Sequence, residues 1–263
     1  STLFPYTTLF RSPYSSAFPG LHPRPSAVSP LASKAMSLPA LASRLEQVRE
    51  TIEQHRQRGG WKHQVRIVAV TKAHPAEAVR AALAVGLEDV GENRVQEALG
   101  KQNELGALPV QWHLIGTLQR NKARHAAGRF ALIHSVDSVE LARELARRTP
   151  AGTRQPVLLQ VNCSGEAQKG GVEPAELSGL LEAVAGESAL DVRGLMTMAA
   201  IAADEAALRR SFGLLRTLRD RAAQGAVELP ELSMGMSGDY AVAVEEGATM
   251  VRLGTVLFGE RDG

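Results

Sequence analysis

Apolar positions along this chain follow two different periods from about residue 40 onward. A first set recurs at helical spacing and comprises Leu41, Leu45, Val48 and Ile52. Residues 59–60 are both glycine and are expected to end that helix. Beyond them, short β-branched and apolar runs alternate with longer segments rich in Ala, Leu, Glu and Arg. The pattern predicts one N-terminal helix followed by strands and helices in alternation.

Eight apolar runs are the predicted strands. They are Val65–Thr71, Asp89–Gly91, Gln111–Ile115, Ala131–His134, Val157–Val161, Val192–Met196, Glu231–Ser233 and Met250–Leu253. The clearest helical segments between them are Pro75–Val85, Ser138–Arg148, Asp204–Ala223 and Tyr240–Glu246. Pro75 and Pro174 suit first helical turns. Ser138 or Asp137 suits the cap of the helix that follows them.

Strands that alternate with helices favour parallel βαβ units. Eight such units, with no obvious break in strand order, favour a closed barrel over an open doubly wound sheet. The predicted fold is therefore α/β, a single (β/α)8 TIM barrel with an extra N-terminal helix, although the pattern alone leaves closure open. Functional groups of such barrels gather at the carboxyl ends of the strands, so candidate residues are sought there.

Composition narrows the classes of function. Of 263 residues, 44% are hydrophobic, which is enough for one substantial core, although length alone would also permit two small domains. The 30 Lys+Arg nearly balance the 28 Asp+Glu, which gives no electrostatic case for nucleic acid or an anionic membrane. No apolar stretch approaches the roughly 20 residues that span a bilayer. With one cysteine, Cys163, no internal disulfide can form, which fits a reducing compartment, so we expect a cytoplasmic protein. A lone cysteine after an apolar run is more typical of packing than of a nucleophile.

Residues 1–35 differ in composition from the rest of the chain, because they are rich in Ser and Pro and contain no acidic residue. They lack the pattern of a signal peptide, whereas a transit peptide is compatible with this composition. Thr2–Ser12 reads TLFPYTTLFRS, which one frame of a widely used sequencing-adapter oligonucleotide encodes. We therefore interpret residues 1–35 as a disordered, non-native extension, with the native start at Met36 and the barrel within residues 36–263.

Lys72 follows the first predicted strand in the sequence Ala-Val-Thr-Lys. An apolar strand that delivers a lysine to the mouth of a barrel suits Schiff-base chemistry, because burial favours the neutral amine that attacks an aldehyde. The alternative is a solvent-facing lysine just past a strand. Position alone favours that alternative.

Three further strand ends carry candidate residues. Asn93 follows the second strand and suits either a helix cap or a ligand contact, and capping is the commoner use. His113 lies on the third strand, where a lone histidine is more often structural than functional. Met196 lies at the Met-rich end of the sixth strand, which suits core packing or contact with a flat ring. Position alone leaves each of these residues open.

The seventh and eighth strand ends carry small and hydroxyl residues. The seventh precedes a predicted helix, so Ser237 and the exposed backbone N–H groups beside it suit a phosphate. The alternative there is an ordinary strand-to-helix turn capped by Ser237 or Asp239. At the eighth end, Gly254 permits close backbone approach and Thr255 adds a donor. Together the two ends match the phosphate site that barrels often build from these loops.

Six segments in order resemble the YggS/PROSC family of pyridoxal 5'-phosphate (PLP) homeostasis proteins. They are VAVTK at 68–72, VGENRVQEA at 90–98, WHLIGTLQRNK at 112–122, GLMTM at 194–198, SMGMSGDY at 233–240 and VRLGTVLFG at 251–259. Several motifs in the right order are far more specific than any one of them. The resemblance covers the chain from about Leu41 to Gly259 and implies a barrel of the alanine racemase N-terminal domain type.

The resemblance also implies contacts with PLP. Lys72 is implied to carry the cofactor as a Schiff base, and Arg252 to face its pyridine nitrogen. The residues implied to bind its phosphate are Ser237, Gly254, Thr255 and, as a further candidate, Ser233. Those implied to line its ring are Asn93, His113 and Met196.

These roles favour carriage of PLP over strong catalysis. A guanidinium donates and does not accept a proton, so the pyridine nitrogen is expected to stay unprotonated and PLP to be a poor electron sink. Alanine racemases take a second base, a tyrosine, from a C-terminal domain, whereas this chain ends at Gly263 and its tyrosine outside residues 1–35 is Tyr240. We expect a monomeric PLP carrier that serves apo PLP-dependent enzymes. A weak amino-acid racemase and an interaction module that senses PLP are the alternatives.

Overall fold

The computed structural model describes residues 37–166, 168–200, 202–223 and 228–260. The predicted foreign extension over residues 1–35 and the predicted start at Met36 lie outside these ranges. Among the described residues, no helix combines the length and the apolar character that a membrane span requires.

Parallel strands pair in chain order and close into a barrel, because the last strand pairs with the first. Their bounds are β1 (Arg66–Val70), β2 (Asp89–Glu92), β3 (Gln111–Leu114), β4 (Leu132–Val136), β5 (Gln155–Gln160), β6 (Leu190–Met196), β7 (Glu231–Met236) and β8 (Met250–Leu253). In the closing pair, Val68 of β1 lies opposite Arg252 of β8. The predicted (β/α)8 barrel and all eight of its strands are confirmed.

Helices follow the strands around the outside of the barrel. Their bounds are α1 (Leu38–Arg58), α2 (Glu77–Ala84), α3 (Val95–Leu105), α4 (Ala123–Ala126), α5 (Val139–Arg148), α6 (Leu177–Ala185), α7 (Glu205–Ala222), α8 (Tyr240–Glu245) and α9 (Thr255–Phe258). Short 3₁₀ segments precede α4 and α6, and Pro174 opens the second of them. Ser138 caps α5 as predicted, since its hydroxyl accepts the N–H of Leu141.

Two apolar layers hold the barrel together. The larger one lies between strands and helices, and it includes the α1 residues predicted at helical spacing, all of them buried. The smaller one lies inside the barrel and comprises Val68, Val70, Ile115, Leu132, Leu158, Met196 and Met250. Inward positions of parallel strands stack in layers, and this inner set forms one apolar layer of the barrel interior.

The extra helix α1 packs against α8 and α9, which follow the last two strands. Arg44 donates to the carbonyl oxygen of Leu257 at 2.7 Å, and His55 Nδ1 lies 2.7 Å from the Glu245 carboxylate. Trp61, just after α1, donates to the carbonyl oxygen of Glu245 at 2.7 Å. The helix therefore supports the two helices that follow β7 and β8.

Candidate ligand-binding site

A cavity of about 350 Å³ opens at the carboxyl ends of the strands. Its polar lining residues are Lys72, His74, Asn93, Thr117, Ser237, Arg252 and Thr255. A depression of about 470 Å³ lies at the opposite end of the barrel, but it is more open and is lined mainly by charged residues of α1 and of the first two strands. We assign the site to the mouth cavity, because enclosure with a few convergent polar groups is typical of small-molecule sites.

Lys72 projects from a short segment whose backbone is fixed on both sides. The N–H of Thr71 donates to the carbonyl oxygen of Gly91 at 3.1 Å, and its hydroxyl donates to Glu92 at 2.6 Å. On the other side, the N–H of Ala73 donates to Glu97 at 2.6 Å, and Ala73 has a φ of 58°. That left-handed conformation is costly for a residue with a Cβ and persists only where surrounding contacts enforce it. The lysine therefore leaves the strand from a defined position.

A buried ion cluster supplies those contacts. Lys101 Nζ lies 2.7 Å from Glu92, 3.1 Å from Glu97 and 2.7 Å from the carbonyl oxygen of Thr71. Glu92 is fully buried, and burial raises its pKa above the ordinary value although Lys101 and Thr71 act to lower it. Its second carboxylate oxygen has no hydrogen-bond partner among the described residues. Such a cluster tolerates little movement, because each charge depends on its partner for stabilisation.

Across the cavity, the turns after β7 and β8 meet at Ser237. Its hydroxyl oxygen accepts the N–H groups of Gly254 at 3.2 Å and Val256 at 3.3 Å. Gly235, with a φ of 90°, brings the first turn close to α8, since a Cβ there would lie 2.6 Å from the Cβ of Ala243. Backbone donors and a hydroxyl are thereby gathered at one edge of the cavity, which suits an anionic group.

Arg252 forms part of the cavity floor and is almost fully buried. Its guanidinium donates to the Ser233 hydroxyl at 2.7 Å and to the carbonyl oxygen of Thr197 at 2.9 Å. Burial lowers the pKa of Arg252 to about 10, and the charge of Asp239 opposes that effect. The group is still a cation at neutral pH, so it presents donors and positive charge to a ligand.

Comparison with known proteins identifies the family. The family model for the N-terminal domain of alanine racemase matches residues 43–262. The pyridoxal phosphate homeostasis protein of Pseudomonas aeruginosa is 50% identical over 199 residues, which cover 75% of this chain and 85% of that protein. This chain belongs to the pyridoxal phosphate homeostasis protein family. Its relative from Aquifex aeolicus is 43% identical over 221 residues, covering 83% of this chain and 97% of that protein.

Solved structures agree with membership of the PLP homeostasis family. PipY of Synechococcus elongatus, in its structure with PLP bound, is 40% identical, has a TM-score of 0.73, and is matched over 83% of this chain and 100% of that chain. Alanine racemase of Corynebacterium glutamicum is 19% identical with a TM-score of 0.66, and this chain covers 62% of it. At that identity the racemase shows a shared fold only.

Six of the nine residues predicted to contact the cofactor line the mouth cavity: Lys72, Asn93, Ser237, Arg252, Gly254 and Thr255. The helix cap considered for Asn93 is absent, because α3 begins after Arg94 and has no side-chain cap. The side chain of Asn93 makes no hydrogen bond to the described residues, which leaves its amide available to a ligand.

The other three predicted contacts do not line the cavity. His113, Met196 and Ser233 are buried inside the barrel, below the mouth. Two positions after His113 and Met196, just past the ends of β3 and β6, Ile115 and Met198 do line the cavity. The three residues implied by the resemblance thus lie one layer of side chains below the cavity lining.

Some residues of the site were missed by sequence reasoning. Glu92 and Lys101 lie within the family segment and the helix after it, and only the Glu97–Lys101 spacing of four residues hints at a pair. Nothing in the sequence indicates that Lys101 turns inward.

Cys163 is buried as predicted for a packing residue, and burial raises the pKa of its thiol to about 11. Within the described ranges, no cluster of His, Cys, Asp or Glu is placed to hold a metal ion.

Proposed function

We propose that this protein binds PLP in the mouth cavity, carries it on Lys72 and serves intracellular PLP homeostasis. The observation that carries the proposal is the arrangement of one cavity, with a lysine at the end of β1 and anion-binding donors at the ends of β7 and β8. The family supports it, because relatives are named pyridoxal phosphate homeostasis proteins and PipY has a structure with PLP bound.

The donor set fits the cofactor at both of its polar ends. The hydroxyl of Ser237 and the backbone N–H groups it contacts suit a phosphate, and Thr255 adds a further hydroxyl on the same side. Gly238 leaves open space beside that edge, since a Cβ there would meet nothing within 4 Å. Arg252 presents donors to a ring nitrogen, and Ile115 and Met198 offer apolar contact to a flat ring.

Lys72 supplies the covalent bond in this proposal. Its neutral amine adds to the aldehyde carbon, a carbon–nitrogen double bond forms, and the aldehyde oxygen leaves as water. Hydrolysis or exchange with another amine reverses the bond without any redox partner. The hydrogen bonds that hold the backbone of Thr71 and Ala73 fix the position from which the Lys72 side chain starts. PLP binding therefore does not have to order that segment.

Arg252 limits the chemistry that follows. PLP supplies an electron sink for reactions at an amino-acid α-carbon when its ring nitrogen is protonated. A guanidinium only donates, so it leaves that nitrogen unprotonated. Carriage of the aldehyde needs no electron sink. We therefore propose a carrier without strong catalytic activity, in keeping with relatives that are named as homeostasis proteins.

The lining of the cavity argues against fast racemisation as well. Among the described residues that line it, the titratable side chains are Lys72, His74 and Arg252. His74 follows Lys72 by two positions and packs at a tilt against Phe258, with ring centroids 5.4 Å apart. Tyr240 packs against the outer core and does not line the cavity. A second base facing Lys72 across a bound ring is thus not among these groups.

We also propose that the protein is a cytoplasmic monomer that delivers PLP to apo PLP-dependent enzymes. The large apolar side chains exposed among the described residues are Leu38, Leu214 and Met236, which lie on three different elements. Scattered exposure of this kind is ordinary for a monomer surface. Size-exclusion chromatography with light scattering tests the oligomeric state directly.

An absorbance titration tests the carrier proposal. Wild-type protein and Lys62→Ala, which alters an exposed lysine at the opposite end of the barrel, are expected to develop the visible band of lysine-bound PLP. Lys72→Ala is expected to lack that band. A visible band that persists in Lys72→Ala, or one absent from the wild type, contradicts the proposal.

A further inference from the structure

A line of hydrogen-bonded polar side chains crosses the inside of the barrel. Asp89 Oδ1 lies 2.8 Å from His113 Nε2, and His113 Nδ1 lies 2.9 Å from His134 Nε2. His134 Nδ1 lies 2.9 Å from the Ser233 hydroxyl, which in turn accepts from Arg252 at 2.7 Å. We call these five residues the barrel relay. They come from β2, β3, β4, β7 and β8.

The barrel relay joins the two faces of the barrel. Asp89 is the first residue of β2 and lines a small cavity at the amino ends of the strands, beside Arg66. Arg252 forms part of the floor of the mouth cavity at the other end. The members between them are buried and are surrounded by the inner apolar layer. Burying a row of polar side chains in an apolar interior costs free energy unless every one of them is hydrogen-bonded.

The chemistry of the two ends fixes the position of each proton. A guanidinium only donates, so Ser233 accepts from Arg252 and is free to donate its hydroxyl hydrogen to His134 Nδ1. His134 then carries its hydrogen on Nε2 and donates it to His113 Nδ1. His113 carries its own hydrogen on Nε2 and donates to Asp89, which as a carboxylate only accepts. In the reverse order, the Ser233 hydroxyl hydrogen has no acceptor among the described residues.

The charge states agree with this direction. Burial, followed by the proximity of His113 and the charge of Arg252, holds the pKa of His134 well below its ordinary value, so this ring is neutral. Burial raises the pKa of Asp89, but the hydrogen bond from His113 and the charge of Arg66 outweigh it and keep the pKa below its ordinary value. A carboxylate and a guanidinium thus face each other through the ring of His113, the neutral ring of His134 and one hydroxyl.

We infer that Asp89, on the face opposite Lys72, is a positioning residue that sets the tautomers of His113 and His134 and thereby fixes the donors of Arg252. With one N–H held by Ser233 and another by the Thr197 carbonyl oxygen, the remaining guanidinium donors have a defined direction. The consequence for PLP rests on the proposed function, whereas the tautomers do not depend on it.

The test is nuclear magnetic resonance of PLP-free, full-length protein with ¹⁵N-labelled histidine. Signals of His134 are identified by their loss in His134→Gln. Wild type is expected to show His113 and His134 both protonated on Nε2 alone. Asp89→Asn keeps an acceptor oxygen and is expected to preserve the pattern. Asp89→Leu removes the acceptor and is expected to move the His134 proton to Nδ1.

Asp191→Leu is the matched control, because Asp191 lines the same small cavity but is not part of the barrel relay. It is expected to leave both tautomers unchanged. A protonated Nδ1 on His134 in the wild type overturns the inference even if no variant folds. Identical spectra for wild type and Asp89→Leu overturn it equally.

A PLP titration then tests the link to the mouth cavity. Asp89→Leu is expected to raise the Kd for PLP roughly fivefold, the size expected when one hydrogen-bonded position is lost. Asp191→Leu is expected to leave the Kd unchanged. An unchanged Kd in Asp89→Leu overturns the link, whereas a wild type that binds no PLP overturns the proposed function and leaves the tautomer result intact.

Discussion

Lys101 Nζ lies 2.7 Å from the carbonyl oxygen of Thr71, the residue that immediately precedes Lys72. The same ammonium lies 2.7 Å from the buried carboxylate of Glu92 and 3.1 Å from Glu97, which holds the N–H of Ala73. One cation therefore organises the backbone on both sides of the proposed carrier lysine. The backbone that carries Lys72 is therefore positioned by residues from β2 and α3 and not by its own strand alone.

Replacing Lys101 tests whether the buried ion cluster stabilises the segment around Lys72. Lys101→Met removes the cation, leaves Glu92 buried without its charged partner and is expected to lower the free energy of unfolding by about 3 kcal/mol. The double variant Glu92→Leu/Lys101→Met removes both buried charges and is expected to recover part of that loss. Urea denaturation monitored by circular dichroism measures both. A single variant as stable as the wild type would show that the cluster does not stabilise this segment.

Ser237 is the residue where the two proposed phosphate-binding turns meet. Ser237→Ala removes the hydroxyl beside the N–H groups of Gly254 and Val256 and is expected to weaken PLP binding roughly tenfold. Ser178→Ala, at an exposed position of α6, is the matched control and is expected to bind as the wild type does. Inorganic phosphate is expected to compete with PLP in the wild type. Equal affinity in Ser237→Ala and Ser178→Ala counts against the phosphate assignment.

Because of His134, we expect the free energy of unfolding to fall as the solution becomes mildly acidic. Its folded-state pKa lies well below the ordinary value of 6.5, so the unfolded chain takes up the proton first as the pH falls. Stability contributed by this group is therefore present above about pH 6.5 and is lost below it, by up to about 1.4 kcal/mol per pH unit. His134→Gln is expected to flatten that slope, and His125→Gln, at an exposed position, to keep it. Denaturant titrations between about pH 5 and pH 7 measure the slopes, and equal slopes in the two variants contradict the prediction.

Two glycine-to-alanine substitutions with opposite expected effects on stability test the packing of the barrel. A Cβ on Gly194 of β6 would lie 2.0 Å from the carbonyl oxygen of Glu231 in the adjacent strand, at a φ of 155°. Gly194→Ala is therefore expected to destabilise the protein by about 3 kcal/mol. Gly100 lies inside α3 with nothing within 4 Å of such a Cβ, so Gly100→Ala is expected to stabilise by about 1 kcal/mol. Thermal unfolding should move the midpoints of the two variants in opposite directions.

The sequence predicts this fold well because its signals are local. Each strand is a short apolar run bounded by helical segments, and a barrel of parallel strands in chain order requires no long-range information beyond that alternation. The main difference is β7, which continues to Met236 beyond the predicted end at Ser233. Its Gly-rich end resembles a turn in sequence, whereas pairing with β8, which places Met236 opposite Arg252, keeps it extended.

The site is only partly predictable, for two physical reasons. Alternation along a strand gives the face of a side chain but not its depth. His113 and Met196, which the resemblance implies as ring contacts, lie below the mouth of the barrel. Partnership across strands depends on the register, which the sequence does not give. The contact of His134 with Ser233, 99 positions apart, therefore emerges only from the folded barrel.

Lys72 is the residue proposed to carry PLP through a carbon–nitrogen double bond. The most direct measurement is reduction of the PLP-loaded protein with borohydride, followed by proteolysis and mass spectrometry of the modified peptide. We expect one stable pyridoxyl modification, on Lys72, in wild type and in Lys62→Ala. A modification found on another lysine, or none at all after reduction, would contradict it.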